Sequence, residues 1–465
     1  MLEVQGLKKK LDVAKFGGSL LDVEGQSIPK ILQRIKELAE ETEIGPIIVL
    51  SAPNGTTDKL IEIGNSYAQS SPILLDPIFE VYYKLIDLYI IEKYQDEVIK
   101  EIDNLKLLTL DALRSINKRF SGTIKARILT FGGELAMSTL LDYILKSNGL
   151  NSTRIPLSDW PIITDDVFDD ATPNYDLSKK KRHILIEHLE NGKIISMAGF
   201  LGVTSDGLET ILGRGGSDLT AVFLSCLLRK RFHAQTLLFK DFPIQSTDPK
   251  VVPNQLTDHI TSLTYNEAHK ASIMGMKIVQ HPAIAMARRF SQPLLIVPFD
   301  NPKKYSIIQS KSISNDIVKC ITGKVGAAIL SMNDEKSHTL EDSLRIWEKR
   351  NDFLDLGAET LETGTRIRDF LFLDSDFLRK NEEKLKGFDE NLKVEYGLGV
   401  VTLIGDRMKN SAGVASLAIS SISGINIKRG IFAPHTSQII IVVDEKNVNT
   451  TIAAIHSKIS KMNRK

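Results

Sequence analysis

Three glycine-rich segments have the composition of anion-binding loops. Each places backbone N–H groups, with no Cβ atom to block approach, after a predicted strand or before a predicted helix. Free amides and the helix dipole both favour negative charge there. A single glycine cluster is more often a tight turn, but three of them, two accompanied by a lysine or an arginine, favour an anionic ligand. The segments are Lys15 to Ser19 (KFGGS), Gly199 to Gly202 (GFLG) and Gly213 to Asp218 (GRGGSD).

The missing motifs narrow the chemistry further. None of the three segments matches GxxxxGK[ST] or GxGxxG. GxSxG and HExxH do not occur, and the nine histidines are scattered. Phosphoryl transfer to an acceptor that is already an anion needs positioning and charge neutralisation rather than a dedicated acid or base. A site built from Gly, Lys, Arg, Asp and Ser suits such a transfer.

Strands that alternate with helices must position these loops. Repeated strand, turn and helix predict an α/β fold with a mostly parallel sheet between helices, and ligands then lie outside the carboxyl ends of the strands. From about residue 66 to 130 the apolar residues keep helical spacing with no strand between them, which predicts a helical insertion. The strands are predicted at Leu11 to Phe16, Pro46 to Ser51, Lys193 to Ala198 and Gln235 to Phe239.

The pattern changes after about residue 315, where one order of elements occurs twice. Two successive βαββα units of similar length form an internal repeat and predict two ferredoxin-like modules. The first has its helices at Leu340 to Arg350 and from Phe377, and the second at Gly413 to Ser423 and Val448 to Lys458. We therefore predict a catalytic domain over residues 1–310, a first module over 315–390 and a second over 391–465.

Composition excludes several classes of partner. The 465 residues carry 59 basic and 58 acidic side chains, so neither nucleic acid nor an anionic membrane is expected as a partner. The two cysteines, Cys226 and Cys320, lie outside any CxxC pattern, which argues against a zinc site and a disulfide framework. The start of the chain lacks an apolar signal region, and no apolar stretch is expected to approach the roughly 20 residues of a membrane span. The expected location is the cytoplasm.

The motifs resemble those of the aspartate kinases, within the wider amino-acid kinase family. KFGGS resembles the KFGG[ST] opening of that family, and Leu212 to Ala221 matches its LGRGGSDxTA segment. Ser51 to Leu60 is similar to SAxxGxTDxL, and Gly133-Glu134 with Ser138 resembles the GExxS helix start. The resemblance covers nearly the whole chain. In the later parts, Thr247 to Pro253 resembles the family's TTDPRVVP segment and Gly275 to Pro282 resembles its GAKVLHP segment. The repeat resembles paired ACT domains around Gly405 to Gly413 and Gly424 to Ile427.

The resemblance implies a role for each matching position. Lys15, Gly17, Gly18 and Ser19 would hold the ATP phosphates, and Lys240, Asp241 and Lys277 would contact the nucleotide. Arg214 would bind the α-carboxylate of aspartate and Glu134 its ammonium group, while Ser51, Thr57 and Ser217 would hydrogen-bond substrate or phosphate. Lys15, Gly18 and Asp218 would be catalytic, with Asp218 helping to position Mg²⁺ or substrate; Mg²⁺ would be carried by ATP, with no other metal.

Simpler structural roles compete at several of these positions. Glu134 and Asp218 could serve as carboxylates near helix N-termini. Ser51 and Thr57 could be turn residues, and Lys277 a surface lysine.

The chain departs from the family pattern in two places near the predicted nucleotide site. Lys240 to Lys250 reads KDFPIQSTDPK, one residue shorter than the KDVDGIYTTDPR segment of the family and without its glycine and tyrosine. An additional residue, Gln280, separates Lys277 from His281-Pro282.

The implied activity is the ATP- and Mg²⁺-dependent phosphorylation of the side-chain carboxylate of L-aspartate. The product, 4-phospho-L-aspartate, would begin the route to lysine, threonine and methionine. Lysine or threonine would be the effector, and a homodimer or larger assembly is expected. Two alternatives stay open: an amino-acid sensor whose kinase domain has lost activity, and a kinase for another carboxylate such as acetylglutamate.

Overall fold

The computed structural model describes residues 8–253, 256–347, 353–433 and 437–463. By contact, the chain divides into two compact units: Met1–Pro243 with Val279–Lys311, and Ile244–Ile278 with Ser312–Lys465. The domain limits predicted from the sequence stay a prediction.

Strands alternate with helices through most of the described chain. The strands are β1 (Lys10–Phe16), β2 (Ile47–Leu50), β3 (Ser152–Arg154), β4 (Ile194–Ala198), β5 (Leu201–Val203), β6 (Glu209–Ile211), β7 (His233–Lys240), β8 (Ser262–Thr264), β9 (Leu294–Pro298), β10 (Ser306–Gln309), β11 (Cys320–Asn333), β12 (Phe353–Thr360), β13 (Arg366–Phe372), β14 (Lys393–Ile404), β15 (Ile427–Ala433) and β16 (Gln438–Asp444). The helices are α1 (Ile28–Glu40), α2 (Thr56–Ala68), α3 (Asp76–Tyr89), α4 (Glu92–Arg114), α5 (Gly122–Leu129), α6 (Leu135–Ser147), α7 (Tyr175–Glu190), α8 (Gly216–Leu228), α9 (Tyr265–Ile273), α10 (His281–Phe290), α11 (Asp334–Trp347), α12 (Asp376–Lys386), α13 (Val414–Ser420) and α14 (Val448–Asn463).

The first unit is built on a mostly parallel sheet, as predicted. Its strands follow the order β3-β4-β2-β1-β7-β9-β10, and among these only β10 pairs antiparallel to its neighbour. Every residue of β2 and β4 is buried. Continuous apolar strands are typical of a parallel sheet covered on both faces. The carboxyl ends of the central strands β1, β2, β4 and β7 therefore meet along one edge, where the predicted loops begin.

Helices fill the stretch in which the sequence predicts a helical insertion. Helices α3 to α5 lie within it, and their apolar faces join the core beside the sheet. Phe79 and Tyr82 on α3 are completely buried and their rings pack edge to face, with centroids 5.6 Å apart.

A π-helical turn, Thr130–Glu134, joins α5 to α6 without a break in the helix. The resulting helix, Gly122–Ser147, has 26 residues and is apolar enough to cross a membrane by length and composition. This corrects the expectation that no apolar stretch approaches that length. Because 94% of its most apolar window is buried inside the fold, it has the environment of a core helix.

The second unit contains the two predicted βαββα repeats. They share one antiparallel sheet in the order β12-β13-β11-β14-β16-β15, so the first strands of the two repeats, β11 and β14, lie side by side at its centre. Apolar residues of each repeat pack with its own helices on one face. Helix α11 confirms the predicted helix at Leu340, and residues 348–350 of that prediction lie outside the described residues.

Candidate active site

The turn after β1 brings a lysine against glycine backbone. Lys15 is the penultimate residue of β1, and a 3₁₀ turn over Gly18–Leu20 follows at once. A Cβ atom on Gly17 would lie 3.1 Å from the Lys15 Nζ, and one on Gly18 would lie 3.0 Å from the Ala52 carbonyl oxygen. The approach is least adjustable at Gly18, where the neighbour is a backbone oxygen, and the Lys15 ammonium group lies beside the backbone of Gly17.

The glycine loop from Gly213 to Asp218 leads into helix α8. Gly213 and Gly215 have φ angles of +66° and +77°, a left-handed conformation that side chains with Cβ adopt poorly. A Cβ on Gly215 would also lie 2.1 Å from the Cγ of Gln280. The additional residue Gln280, which precedes α10, therefore packs over this loop instead of lengthening a distant turn.

Asp218 binds two lysines from neighbouring strands. Lys15 Nζ lies 2.8 Å from its Oδ1 as an ion pair, and Lys240 Nζ donates a 2.8 Å hydrogen bond to its Oδ2. Lys15 and Asp218 are buried, whereas the Lys240 side chain is 27% exposed. Burial alone would raise the pKa of Asp218, but the two ammonium groups outweigh it and hold that pKa well below its usual range.

Burial has the opposite consequence for the paired lysine. It lowers the pKa of the Lys15 ammonium, and the like charge of Lys240 adds to this, while Asp218 and Glu134 oppose it. Lys15 and Lys240 both pair with the single carboxylate of Asp218. An anionic ligand would therefore be strongly favoured here.

Glu134 ends the π-helical turn and is 4% exposed. The Ala52 backbone N–H donates to its carboxylate, but burial outweighs that bond and raises the pKa of Glu134 to about 7. Its Oε2 is buried and has no hydrogen-bond partner among the residues that the structure describes. A buried carboxylate with an unused oxygen is suited to a cationic donor such as an ammonium group.

Tyr82 is the residue near this carboxylate that the sequence did not identify as functional. Its hydroxyl donates to the carbonyls of Gly132 at 2.8 Å and Gly133 at 3.2 Å, immediately before Glu134. Tyr82 falls at the helical spacing of the apolar residues in the insertion, which indicates a core position and nothing more. The available signal was the polar hydroxyl at a position otherwise occupied by apolar residues.

The Glu134 motif is one residue longer than its resemblance suggested. Ser138 follows Glu134 by four positions, whereas GExxS requires three, and the Ser138 hydroxyl donates to Leu135 within its own helix.

Ser217 lies against the glycine segment from Gly199 to Gly202. A Cβ on Gly199 would be 2.7 Å from the Ser217 Oγ and 2.8 Å from the Leu50 carbonyl oxygen, so the end of β4 touches the first turn of α8. The next residue, Phe200, has φ of +66°, which is uncommon for a bulky side chain, and its N–H donates to the Thr220 hydroxyl.

The remaining predicted residues are less closely constrained. The N–H of Ser51 donates to the Phe16 carbonyl, which extends the β1–β2 pairing, and Thr57 is half-buried in the first turn of α2. Arg214 is exposed and makes no ion pair or hydrogen bond to any residue that the structure describes. The structure therefore brings Lys15, Asp218 and Lys240 into contact, and does not do so for Ser19 and Asp241, which are exposed, or for Lys277, which is exposed and belongs to the second unit.

The described residues contain no cluster of three or more His, Cys, Asp or Glu side chains that could hold a metal ion. Each oxygen of Asp218 lies 2.8 Å from a lysine nitrogen. The side chains therefore fit a divalent ion that arrives with phosphate groups better than one bound by the protein alone.

Comparison with known proteins points to one family. Residues 10–298 match the Amino acid kinase family. The Helicobacter pylori aspartokinase is 23% identical over 462 residues, covering 96% of this chain and 98% of that protein. The lysine-sensitive aspartokinase 3 of Escherichia coli is 22% identical, again with 96% and 98% coverage.

Solved structures agree on the fold. Escherichia coli aspartokinase III in complex with aspartate and ADP, in its R-state, has a TM-score of 0.79 at 21% identity and covers 96% of this chain and 99% of its own. The same enzyme with lysine and aspartate, in its T-state, has a TM-score of 0.72 at 20% identity, covering 97% of this chain and 99% of its own. At this identity the similarity shows the fold, with its parallel sheet and C-terminal antiparallel modules.

Proposed function

The chain belongs to the amino acid kinase family, and we propose that it transfers the γ-phosphoryl group of ATP to the side-chain carboxylate of L-aspartate. One observation carries this proposal. The same sheet edge has a two-lysine site for an anion, in which Lys15 is buried and Lys240 is partly exposed. It also has a buried carboxylate for a cation, with one oxygen that has no hydrogen-bond partner among the described residues. The aspartokinase relatives, which match this chain over nearly their whole length, support aspartate as the acceptor.

The lysine site would receive the phosphates. Lys15 and Lys240 already pair with the two oxygens of an anionic group, Asp218, and the glycine backbone that follows β1 lies beside Lys15. Phosphate oxygens would form ion pairs with the two lysines and would weaken the pairs that these lysines make with Asp218. Fixed ammonium groups in a buried site stabilise the charge that spreads over the transferred group without reorganising at the moment of reaction.

The aspartate would be held through its two charged backbone groups. Glu134 would accept the ammonium group at its unused Oε2, and binding that cation would restore the ionised form of the carboxylate. The exposed Arg214, without an ion-pair partner among the described residues, would bind the α-carboxylate with its planar guanidinium group. Ser51, Thr57 and Ser217 would supply neutral hydrogen bonds.

We further propose that Mg²⁺ enters with the nucleotide. The ion would supply additional charge neutralisation at the phosphates. Asp218 is the residue placed to assist, and it could approach the ion only by releasing one of its lysines. Asp241 and Lys277 as nucleotide contacts stay predictions.

Regulation by an amino acid is a further part of the proposal. In the second unit, a cavity of about 420 Å³ lies beside the loop that resembles an ACT segment, and Met408, Ser411, Gly413, Phe432 and Gln438 contribute to its lining. Lysine is a proposed effector because one relative is a lysine-sensitive aspartokinase, and threonine is the alternative. Titration calorimetry with each amino acid tests this, and lack of binding by both would refute it.

A homo-oligomer in the cytoplasm, serving lysine and threonine biosynthesis, completes the proposal. A monomer in sedimentation experiments at micromolar concentration would contradict the assembly.

The activity is tested by incubating the protein with ATP, Mg²⁺ and L-aspartate and trapping the acyl phosphate with hydroxylamine. We expect ADP and aspartyl hydroxamate in equal amounts, and no hydroxamate with glutamate or acetylglutamate. Hydroxamate from acetylglutamate alone would replace aspartate as the substrate. Aspartate binding without any turnover would favour the sensor alternative instead.

A further inference from the structure

A buried hydroxyl from the helical insertion closes the wide turn before Glu134. In this turn the Leu135 N–H donates to the Thr130 carbonyl, five residues back, so the usual pairing is displaced by one residue. Tyr82 on α3 is completely buried, and its hydroxyl donates to the carbonyls of Gly132 and Gly133, 50 and 51 residues along the chain. A segment that belongs to the insertion thereby fixes the backbone of the substrate site.

The backbone of the turn is itself closely packed. A Cβ on Gly132 would lie 2.9 Å from Leu60, and one on Gly133 would lie 3.4 Å from the Ala52 Cβ. The same residue, Ala52, donates its N–H to the Glu134 carboxylate. Burial and the Glu134 charge raise the pKa of Tyr82 well above its usual value, so its hydroxyl remains a donor.

We propose that Tyr82 is a positioning residue, which holds the π-helical turn so that the Glu134 carboxylate points its unused oxygen at the substrate ammonium group. This role rests on the proposed function, because it assigns the ammonium group to Glu134. It also gives the helical insertion a part in recognising the amino-acid substrate, in addition to its part in the core.

The test compares two tyrosine variants on the same helix. Tyr82→Phe keeps the ring that packs on Phe79 and removes only the hydroxyl. Tyr83→Phe is the matched control, because the Tyr83 hydroxyl binds Asp103 on the outer side of the insertion. Steady-state kinetics with both substrates and hydrogen exchange of the free proteins are measured for wild type and both variants.

We expect Tyr82→Phe to raise the KM for aspartate about tenfold, the loss expected when one charge-assisted hydrogen bond to the ammonium group is weakened. The turnover number and the KM for ATP should stay within about twofold of the wild-type values. The lost contact would weaken aspartate binding equally in the substrate complex and in the transition state. Amides of residues 130–135 should exchange faster in Tyr82→Phe and not in Tyr83→Phe.

Two results would overturn the role of Tyr82: unchanged exchange in residues 130–135, or equal losses for aspartate and ATP. Absence of aspartate turnover in the wild-type protein is a different outcome, because it refutes the proposed function. Exchange in the free variant would then still decide whether Tyr82 holds the turn.

Discussion

Replacing Glu134 by glutamine should change the pH dependence of stability by an amount that follows from its burial. The pKa of this carboxyl rises from 4.5 in a solvated chain to about 7 in the fold. Folding therefore disfavours the charged form. The cost is nearly absent below pH 4.5, grows as the pH rises to 7, and is constant above that, at about 3.4 kcal/mol.

Glu134→Gln removes this pH-dependent cost and introduces a constant one. The amide is neutral at every pH, but its NH₂ group would take the place of the buried, unpartnered Oε2, which costs about 1–3 kcal/mol. The constant cost cancels when one variant is compared at two pH values. Relative to wild type, the free energy of unfolding of the variant should therefore rise by about 2.5 kcal/mol between pH 5 and pH 8.

The measurement is urea unfolding of both proteins at pH 5 and pH 8, without ligands. Glu80→Gln is the control, because Glu80 is exposed on α3 and its replacement should change little at either pH. The same Glu134 variant should lose most of its use of aspartate in the hydroxamate assay. A stability difference that is equal at the two pH values would show that Glu134 is not forced toward its neutral form, and the reasoning about its burial would be wrong.

Three further substitutions test other parts of the site. Arg214→Ala should raise the KM for aspartate by about tenfold or more, the loss expected for one charge-assisted hydrogen bond, with the KM for ATP little changed; equal increases in both KM values would indicate a structural arginine. Asp218→Asn should lower the free energy of unfolding by about 3–5 kcal/mol, because it leaves the buried Lys15 without its counter-charge. Added tripolyphosphate should restore more stability to this variant than it adds to wild type, and equal gains would count against an anion site. Gly199→Ala should lower the free energy of unfolding in urea by about 1–3 kcal/mol, because the new Cβ would lie 2.5 Å from the Ser217 Cβ. An unchanged unfolding midpoint would mean that the backbone shifts to make room for the methyl group.

The fold could be predicted from the sequence because its signals are local. Apolar strands bounded by glycine turns indicated the parallel sheet, and the recurrence of one order of elements indicated the two repeats. The structure confirms both. The glycine loops at Lys15 and Gly213 were also visible, because backbone approach to a ligand requires particular residue types at adjacent positions.

The state of the site depends on contacts between distant residues, and those have no local signal. Lys15, Asp218 and Lys240 were each predicted to act, but their mutual pairing depends on the order of the strands. The raised pKa of Glu134 and the bonds from Tyr82 depend on how the insertion packs over the turn. Apolar periodicity describes Tyr82 correctly as buried and carries no information about its hydroxyl.

The shared sheet of the second unit has a consequence for dissecting the protein. Because β11 and β14 pair along most of their length, a cut between the two repeats would expose a long central strand on each fragment. Such an edge, with its unpaired N–H and carbonyl groups, is a template for self-association. The two repeats should therefore be expressed and should unfold as one unit. A chimaera that takes one repeat from a relative would have to preserve the register between β11 and β14.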